Sequence, residues 1–389
     1  MSSAEMYPVL RAVTNGPKHH YFGYYDKFPW DATGRYLVGL ETYFMHRPPA
    51  GDDYAIIGRI DLWEGNRWEP MAKTNAWNWQ QGTMLHWLPT APDQKIIYND
   101  REGDHFISVI RDLETGEAHI LPLPVYALSR DGRSAVSLNF ARVARTRPGY
   151  GYAGAPDPWA DDPHPVEDGI YWMDLETGEH RLIISLAQIV EIRHDSTMDE
   201  GEHWFNHLQF CTDNSRFLFL HRWKKPDGGR YTRLFTANPD GSDIYCVSDH
   251  DMVSHFDWKN ATQILAWARR HGLGDRYFLF TDRTDQIEVV GESTLSCDGH
   301  CSYSPDRRWI LTDTYPDAER MRTLILYRPE DDYRVNIGRF FAPKKLDGEI
   351  RCDLHPRWSR DGTQVCFDSV HEGTRQIYVV DVEDIVRCA

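Results

Sequence analysis

Four histidines stand at one register of a recurring phrase: His207 in HLQFCTD, His255 in HFDWK, His300 in HCSYSPD and His355 in HPRWSRD. Each opens a short run with strand-like alternation, so that His355, Arg357 and Ser359 share one face while Pro356 and Trp358 share the other. A single histidine in such a place is ordinarily a hydrogen-bonded core residue. Four at one register, on repeats that stand side by side, are expected to converge, and converging imidazoles suit a divalent metal ion: Zn, Mn or Ca. Asp298, Asp353, Cys301 and Cys352 flank these positions and could enter or support the ligand set. A second group reads as proton-transfer chemistry. His86 lies in WNWQQGTMLHW (77–87), His105 in DREGDHF (100–106), and Tyr150 in the Gly-, Pro- and Arg-rich stretch 141–168. Imidazole and phenol can act as base and acid, and Arg142, Arg145 and Arg147 of the same stretch can neutralise a carboxylate. Tyr152 and Trp79 are the aromatic candidates for substrate contact.

These residues need elements to position them, and the phrase itself supplies the pattern. An aromatic-rich run, a Ser/Pro/Asp/Gly turn and a second apolar run recur at 24–41, 84–100, 125–140, 207–223, 254–269, 300–316 and 355–370. Each reads as a hairpin, and after most of them a second hairpin follows, as in ISVIRDLETGEAHIL or IYWMDLETGEHRLII. Units of four strands at roughly 40–60-residue spacing, with no long amphipathic helix, describe an all-β, seven-bladed β-propeller. The last unit lacks a fourth strand, and YPVLRAVT (7–14) is free to supply it, which would close the ring and remove a sheet edge. The whole chain, 1–389, is then one propeller domain with an insert loop at 141–168. Eight blades or two domains are the alternatives.

Composition limits the partners. With 43 Lys+Arg against 59 Asp+Glu the net charge is −16, which argues against nucleic acid as a ligand. No apolar window of about 18 residues exists, so a membrane span is not expected. The start MSSAEMYPVLRAV has neither the basic nor the apolar segment of a secretory signal, so a cytoplasmic location is expected, or a secreted one if this is a mature form. Seven cysteines, an odd number, fit reduced and buried thiols better than a disulfide framework.

The run YFGYYDKFPW, the phrase WNWQQGTMLHWLP with a second histidine about twenty residues on, and the PGYGY loop resemble the seven-bladed propeller polysaccharide lyases that act at uronic acids, the ulvan and rhamnose–glucuronate lyases. SHFDW, DGHCSYSPD and HPRWSRDG are similar to the related oligogalacturonate lyases, in which axial histidines hold a metal. The resemblance implies β-elimination on a glucuronate-type oligo- or polysaccharide, giving an unsaturated uronate. It implies His86 and His105 beside the scissile bond and Tyr150 as the catalytic phenol, with Tyr152 its rival. The chain departs from the pattern at Val166, where the ulvan-type enzymes place an arginine. It departs again at Asp353-Leu354-His355, where the oligogalacturonate lyases have His-Pro-His. A rhamnosidase-like hydrolase and a non-catalytic glycan- or protein-binding propeller are the competing expectations.

Overall fold

A computed structural model describes residues 4–387; Cys388 lies outside them. The chain forms seven sheets, each with its strands hydrogen-bonded to sequence neighbours, and together they are the blades of a β-propeller. Blade 1 pairs His19–Tyr21, Tyr36–Thr42, Ala55–Asp61 and Arg67–Thr74. The innermost strands of the next six blades begin near His86, Ala127, Glu202, Val253, Ser302 and Arg357, as the recurring phrase predicts. Leu10–Ala12 pairs antiparallel with Gln376–Asp381 and completes blade 7, the closure expected from 7–14. A contact the sequence did not announce lies just before it, where Ala4–Glu5 adds in parallel to the outer strand Tyr333–Phe341 of blade 6. Both additions cover an edge that would otherwise present unpaired backbone groups.

The aromatic residues at the inner-strand packing register are buried between blades: Phe210, Trp258, Tyr303 and Trp358 are each no more than 5% exposed. Helices are few and short. One, Phe140–Thr146, begins the insertion in blade 3, capped by the Asn139 side chain on Arg142 N–H, and it sets the course of the loop that follows. The stretch 191–206 is less loop-like than its sequence suggests, because the inner strand of blade 4 already starts at Glu202 and runs to Phe210. Six cysteines are described and none forms a disulfide. Among the described residues no helix is long and apolar enough to cross a membrane.

Blade 1 departs from the repeat in a way that shapes the channel. Between its first strand and Trp30 the segment 22–29 crosses the axis, and Tyr24 and Tyr25 fill the middle of the channel. The Tyr25 hydroxyl accepts from Phe256 N–H and donates to Phe256 C=O, both at 3.0 Å, 231 residues away in blade 5. Gly23 makes this path possible, since it sits at φ +128° with Gln81 backbone only 2.7 Å from where a Cβ would lie. The plug divides the channel into two mouths. One lies at the strand ends that carry the histidines, the other at the Ser/Pro/Asp/Gly turns.

Candidate active site

The histidines reach the channel because the backbone is kinked at or beside them on the inner strands. His207 and His355 adopt left-handed backbone, φ 52° and 42°, and the pairing register shifts around His207 and His255. Met84 of blade 2 has the same kink at φ 52°, so the turn belongs to the architecture and not to the imidazole. In blade 6 a different device operates. A Cβ on Gly299 would lie 1.8 Å from Asp313 C=O, and this close approach lets His300 take Asp313 with both its backbone N–H and its Nδ1, each at 2.8 Å.

Three of the four rings gather. His300 is 4.1 Å from His255 and 4.3 Å from His355, centroid to centroid. Donor atoms of His300, Asp353 and His355 all lie within 4.8 Å of one another, and all three residues are buried. His300 and His355 both leave Nε2 without a hydrogen-bond partner. Asp313 holds the other nitrogen of His300, and Asp298 holds Nδ1 of His255 at 2.9 Å, the carboxylate–imidazole support usual behind a metal ligand. Two orphaned imidazole nitrogens beside a carboxylate fit a transition-metal ion better than Ca, which prefers oxygen throughout. Asp353 is itself engaged by Arg322 and Arg351, each at 2.6 Å, and these guanidiniums hold its carboxyl well below the usual range against the opposing effect of burial. His207 stands apart from the group: its ring stacks on Tyr24 at 4.9 Å, and its Nδ1 lies 3.0 Å from the Tyr126 hydroxyl. The expected four-histidine set therefore becomes His300 and His355 with Asp353, His255 adjoining, and His207 tied up by phenols.

Beside this cluster the mouth opens into a cleft of about 520 Å³ whose lining includes Arg147, Tyr150, Arg222, Arg230, His255 and Asp298. Tyr150 is 2% exposed, and Arg351 donates from Nη2 to its hydroxyl at 2.6 Å. Burial pushes this phenol up, but Arg351 and Arg147 outweigh burial and bring it below its ordinary value. Arg351 also donates from Nε to Asp353, so one guanidinium bridges the phenol and the candidate metal cluster. Arg222 lies two residues before the end of the second strand of blade 4 and Arg230 begins the third, which brings both to the same mouth. Burial, reinforced by repulsion from Arg147 and Arg230, pushes Arg222 down to about 9. Among the described residues Arg147, Arg222 and Arg230 have no carboxylate within ion-pair distance, and such a group of guanidiniums selects for an anion.

Several expected residues lie elsewhere. His86 opens its inner strand at the other mouth, against Lys27, Phe28 and Arg130, and shares no lining with Tyr150. His105 begins the third strand of blade 2 at the exposed rim. The structure thus does not bring His86, His105 and Tyr150 into one cleft. Met84 is the residue at the His207 register, and His86 sits two positions further along the strand, roughly 7 Å toward the opposite mouth. Arg142 is 1% exposed and donates to the carbonyls of His203, Trp159, Asp162 and Pro163, so it pins the insertion and meets no substrate. Arg145 faces out to Asp157 and Glu202. Tyr152 is buried, stacked on Phe140 at 4.3 Å with its hydroxyl taken by Asn99. Trp79 is 2% exposed, packs on Tyr21 and donates to Arg47 C=O, which makes it core. Arg147 alone of the three expected arginines reaches the cleft. Arg222, Arg230 and Arg351 were not singled out by sequence; isolated arginines at strand ends carry no spacing signal.

This class of molecule is a seven-bladed propeller with a basic cleft and a His/Asp cluster at one mouth. No family model matches the chain, and no curated protein matches it in sequence. Among solved structures it resembles the oligogalacturonate lyase of Vibrio parahaemolyticus, with TM-score 0.67 and 13% identity over 98% of this chain and 99% of that one. An oligogalacturonate lyase solved in complex with manganese gives TM-score 0.67 and 16% identity, covering 98% of each chain. A prolyl endopeptidase gives 0.54 and 12% identity over 94% of this chain but only 48% of its own. At these identities the likeness establishes the fold.

Proposed function

We propose that the protein is a lyase that cleaves short uronic-acid-containing oligosaccharides by β-elimination. The observation that carries this reading is the Tyr150 phenol, lowered by two guanidiniums inside a cleft whose other arginines lack carboxylate partners. The proton at C5 of a uronate is weakly acidic, and its removal requires the neighbouring carboxylate to be neutralised. Arg147, Arg222 and Arg230 are the groups available for that. Tyr150 as phenolate takes the C5 proton, the C4–O bond breaks as the C4=C5 double bond forms, and Tyr150 returns the proton to O4 of the departing sugar. His300, His355 and Asp353 would hold a divalent cation, whose chemistry there is positive charge that draws electron density from the carboxylate. The two oligogalacturonate lyases that share the fold, one of them with manganese, support this reading. The PGYGY loop favours a glucuronate-type sugar and the structural neighbours a galacturonate-type one.

The test is a panel of ulvan, rhamnose–glucuronate and galacturonide oligosaccharides, followed by ultraviolet absorbance of the unsaturated product. Activity on at least one is expected, with kcat reduced by about 10²–10⁴ in Tyr150→Phe. Reducing ends released without any absorbance rise would make the protein a hydrolase, and no cleavage of any member would leave a binding propeller.

A further inference from the structure

The mouth opposite the Tyr150 cleft is also furnished. There the turns of the inner hairpins enclose two adjoining cavities of about 280 and 220 Å³, which share Asp26, Lys27, Phe28, Arg130, Gln209 and Arg360. Polar groups in this recess are left unsatisfied by the protein. The Asp26 side chain is 6% exposed; its Oδ2 takes Lys27 Nζ at 2.6 Å while Oδ1 has no partner. Gln209, 7% exposed, gives its amide N–H to Asp257 and leaves Oε1 without a donor. His86 Nε2 and Ser302 Oγ, at opposite sides of the recess, are buried and unpartnered as well. Such groups destabilise the fold if nothing meets them, so four on residues that line one recess mark a place built for hydroxyl-bearing ligand atoms.

Charge narrows the ligand. Lys27 is paired with Asp26, Arg307 approaches Asp257 at 3.6 Å and Arg357 is paired with Asp368. Arg130 has no carboxylate partner among the described residues, and Arg360 donates only to the carbonyls of Trp30 and Asp31. Two guanidiniums without an ion-paired carboxylate therefore border a recess that also offers acceptors and the aromatic rings of Phe28, Tyr303 and Trp358. The volumes are at the small end for ligand sites, which suits one small molecule and not a chain.

We infer that this second mouth binds a single small polyhydroxylated anion of the sugar-acid or sugar-phosphate class. Arg130 and Arg360 take the anionic group, Asp26 Oδ1 and Gln209 Oε1 accept from hydroxyls, and an aromatic face takes the C–H side. The site is independent of the lyase reading, because Tyr24 and Tyr25 stand between the two mouths.

Isothermal titration of the full chain with D-gluconate, D-glucose 6-phosphate and uncharged D-glucose tests it. One of the two anions is expected to bind at one per chain, and which one it is distinguishes carboxylate from phosphate. Binding should persist in Arg222→Gln, which alters only the Tyr150 cleft, and weaken by about tenfold or more in Arg130→Gln. Should Arg130→Gln fail to fold, Arg360→Gln and Gln209→Leu carry the same expectation. The inference is overturned if neither anion binds below about 10 mM, if D-glucose binds equally well, if the second-mouth variants bind like the parent, or if Arg222→Gln abolishes binding.

Discussion

Arg222 shows most plainly what single residues contribute here. It is buried, its Nε is unpartnered, and repulsion from Arg147 and Arg230 adds to the effect of burial in pushing it down to about 9. A group whose charged form the fold disfavours lowers stability, and a bound anion would offset that cost. Arg222→Gln is expected to leave the melting temperature unchanged or raised while increasing KM for a uronate oligosaccharide about tenfold or more, the size of a lost charge-assisted hydrogen bond. A fall in melting temperature without a change in KM would assign Arg222 to the fold. The histidine cluster makes a separate prediction. Mn or Zn added to metal-stripped protein should stabilise it by about 2.7 kcal/mol at a hundredfold excess over Kd, and His300→Ala or His355→Ala should remove the shift. Calorimetric melting with and without the metal checks this, and an unchanged shift in both variants would place the ion elsewhere.

Among the elements, blade 4 carries a polar chain across its three inner strands. Arg233 donates to His221 Nδ1, His221 Nε2 lies 2.9 Å from His203 Nδ1, and His203 Nε2 meets Met198 C=O at 3.0 Å. Read in that direction every donor has an acceptor only if both rings are neutral, because a second proton on either would set two N–H groups face to face. Burial, the main cause, lowers His203 to about 4. The folded value is thus below the unfolded one, so this contribution to stability is complete above about pH 6.5 and is lost as pH falls toward 4, by on the order of 3 kcal/mol at most. Urea unfolding between pH 7 and pH 4 should show a steeper acid loss for the parent than for His203→Gln; parallel curves would refute the assignment. The elements are also where sequence and structure agree best. Turn-bounded hairpins repeated seven times leave few arrangements, and the missing seventh outer strand pointed to 7–14. The site was legible only where it rides on the repeat. His300 and His355 announce themselves by register, whereas His86 has the right residue type two positions off the register, and that displacement carries it to the other mouth. Arg222 and Arg230 share a hairpin of blade 4, but Arg351 comes beside Arg230 from 121 residues further along the chain, a juxtaposition that only the closed ring creates. Tyr24 was hidden for a related reason, since the segment 22–29 leaves the blade pattern to cross the axis.

At the scale of the whole molecule the net charge of −16 opposes the chemistry proposed for the cleft. A uronate oligosaccharide is an anion, and the surface as a whole repels it while Arg147, Arg222 and Arg230 attract it. The two fields differ in reach. The attraction acts at contact inside a recess, whereas the repulsion comes from carboxylates spread over the rim and outer blades, at separations comparable to the Debye length of about 10 Å at 0.1 M salt. A disaccharide or trisaccharide fits within the cleft and responds mainly to the arginines, so its kcat/KM should fall as salt screens them. A long polyuronate must also lie across the acidic surface, and salt relieves that repulsion first. Raising NaCl from about 20 to 300 mM is therefore expected to lower kcat/KM several-fold for the short substrate, and to raise it or leave it flat for the polymer before any decline. The same proportional fall for both lengths would mean that the rim plays no part, and that the acidic exterior does not select for short chains.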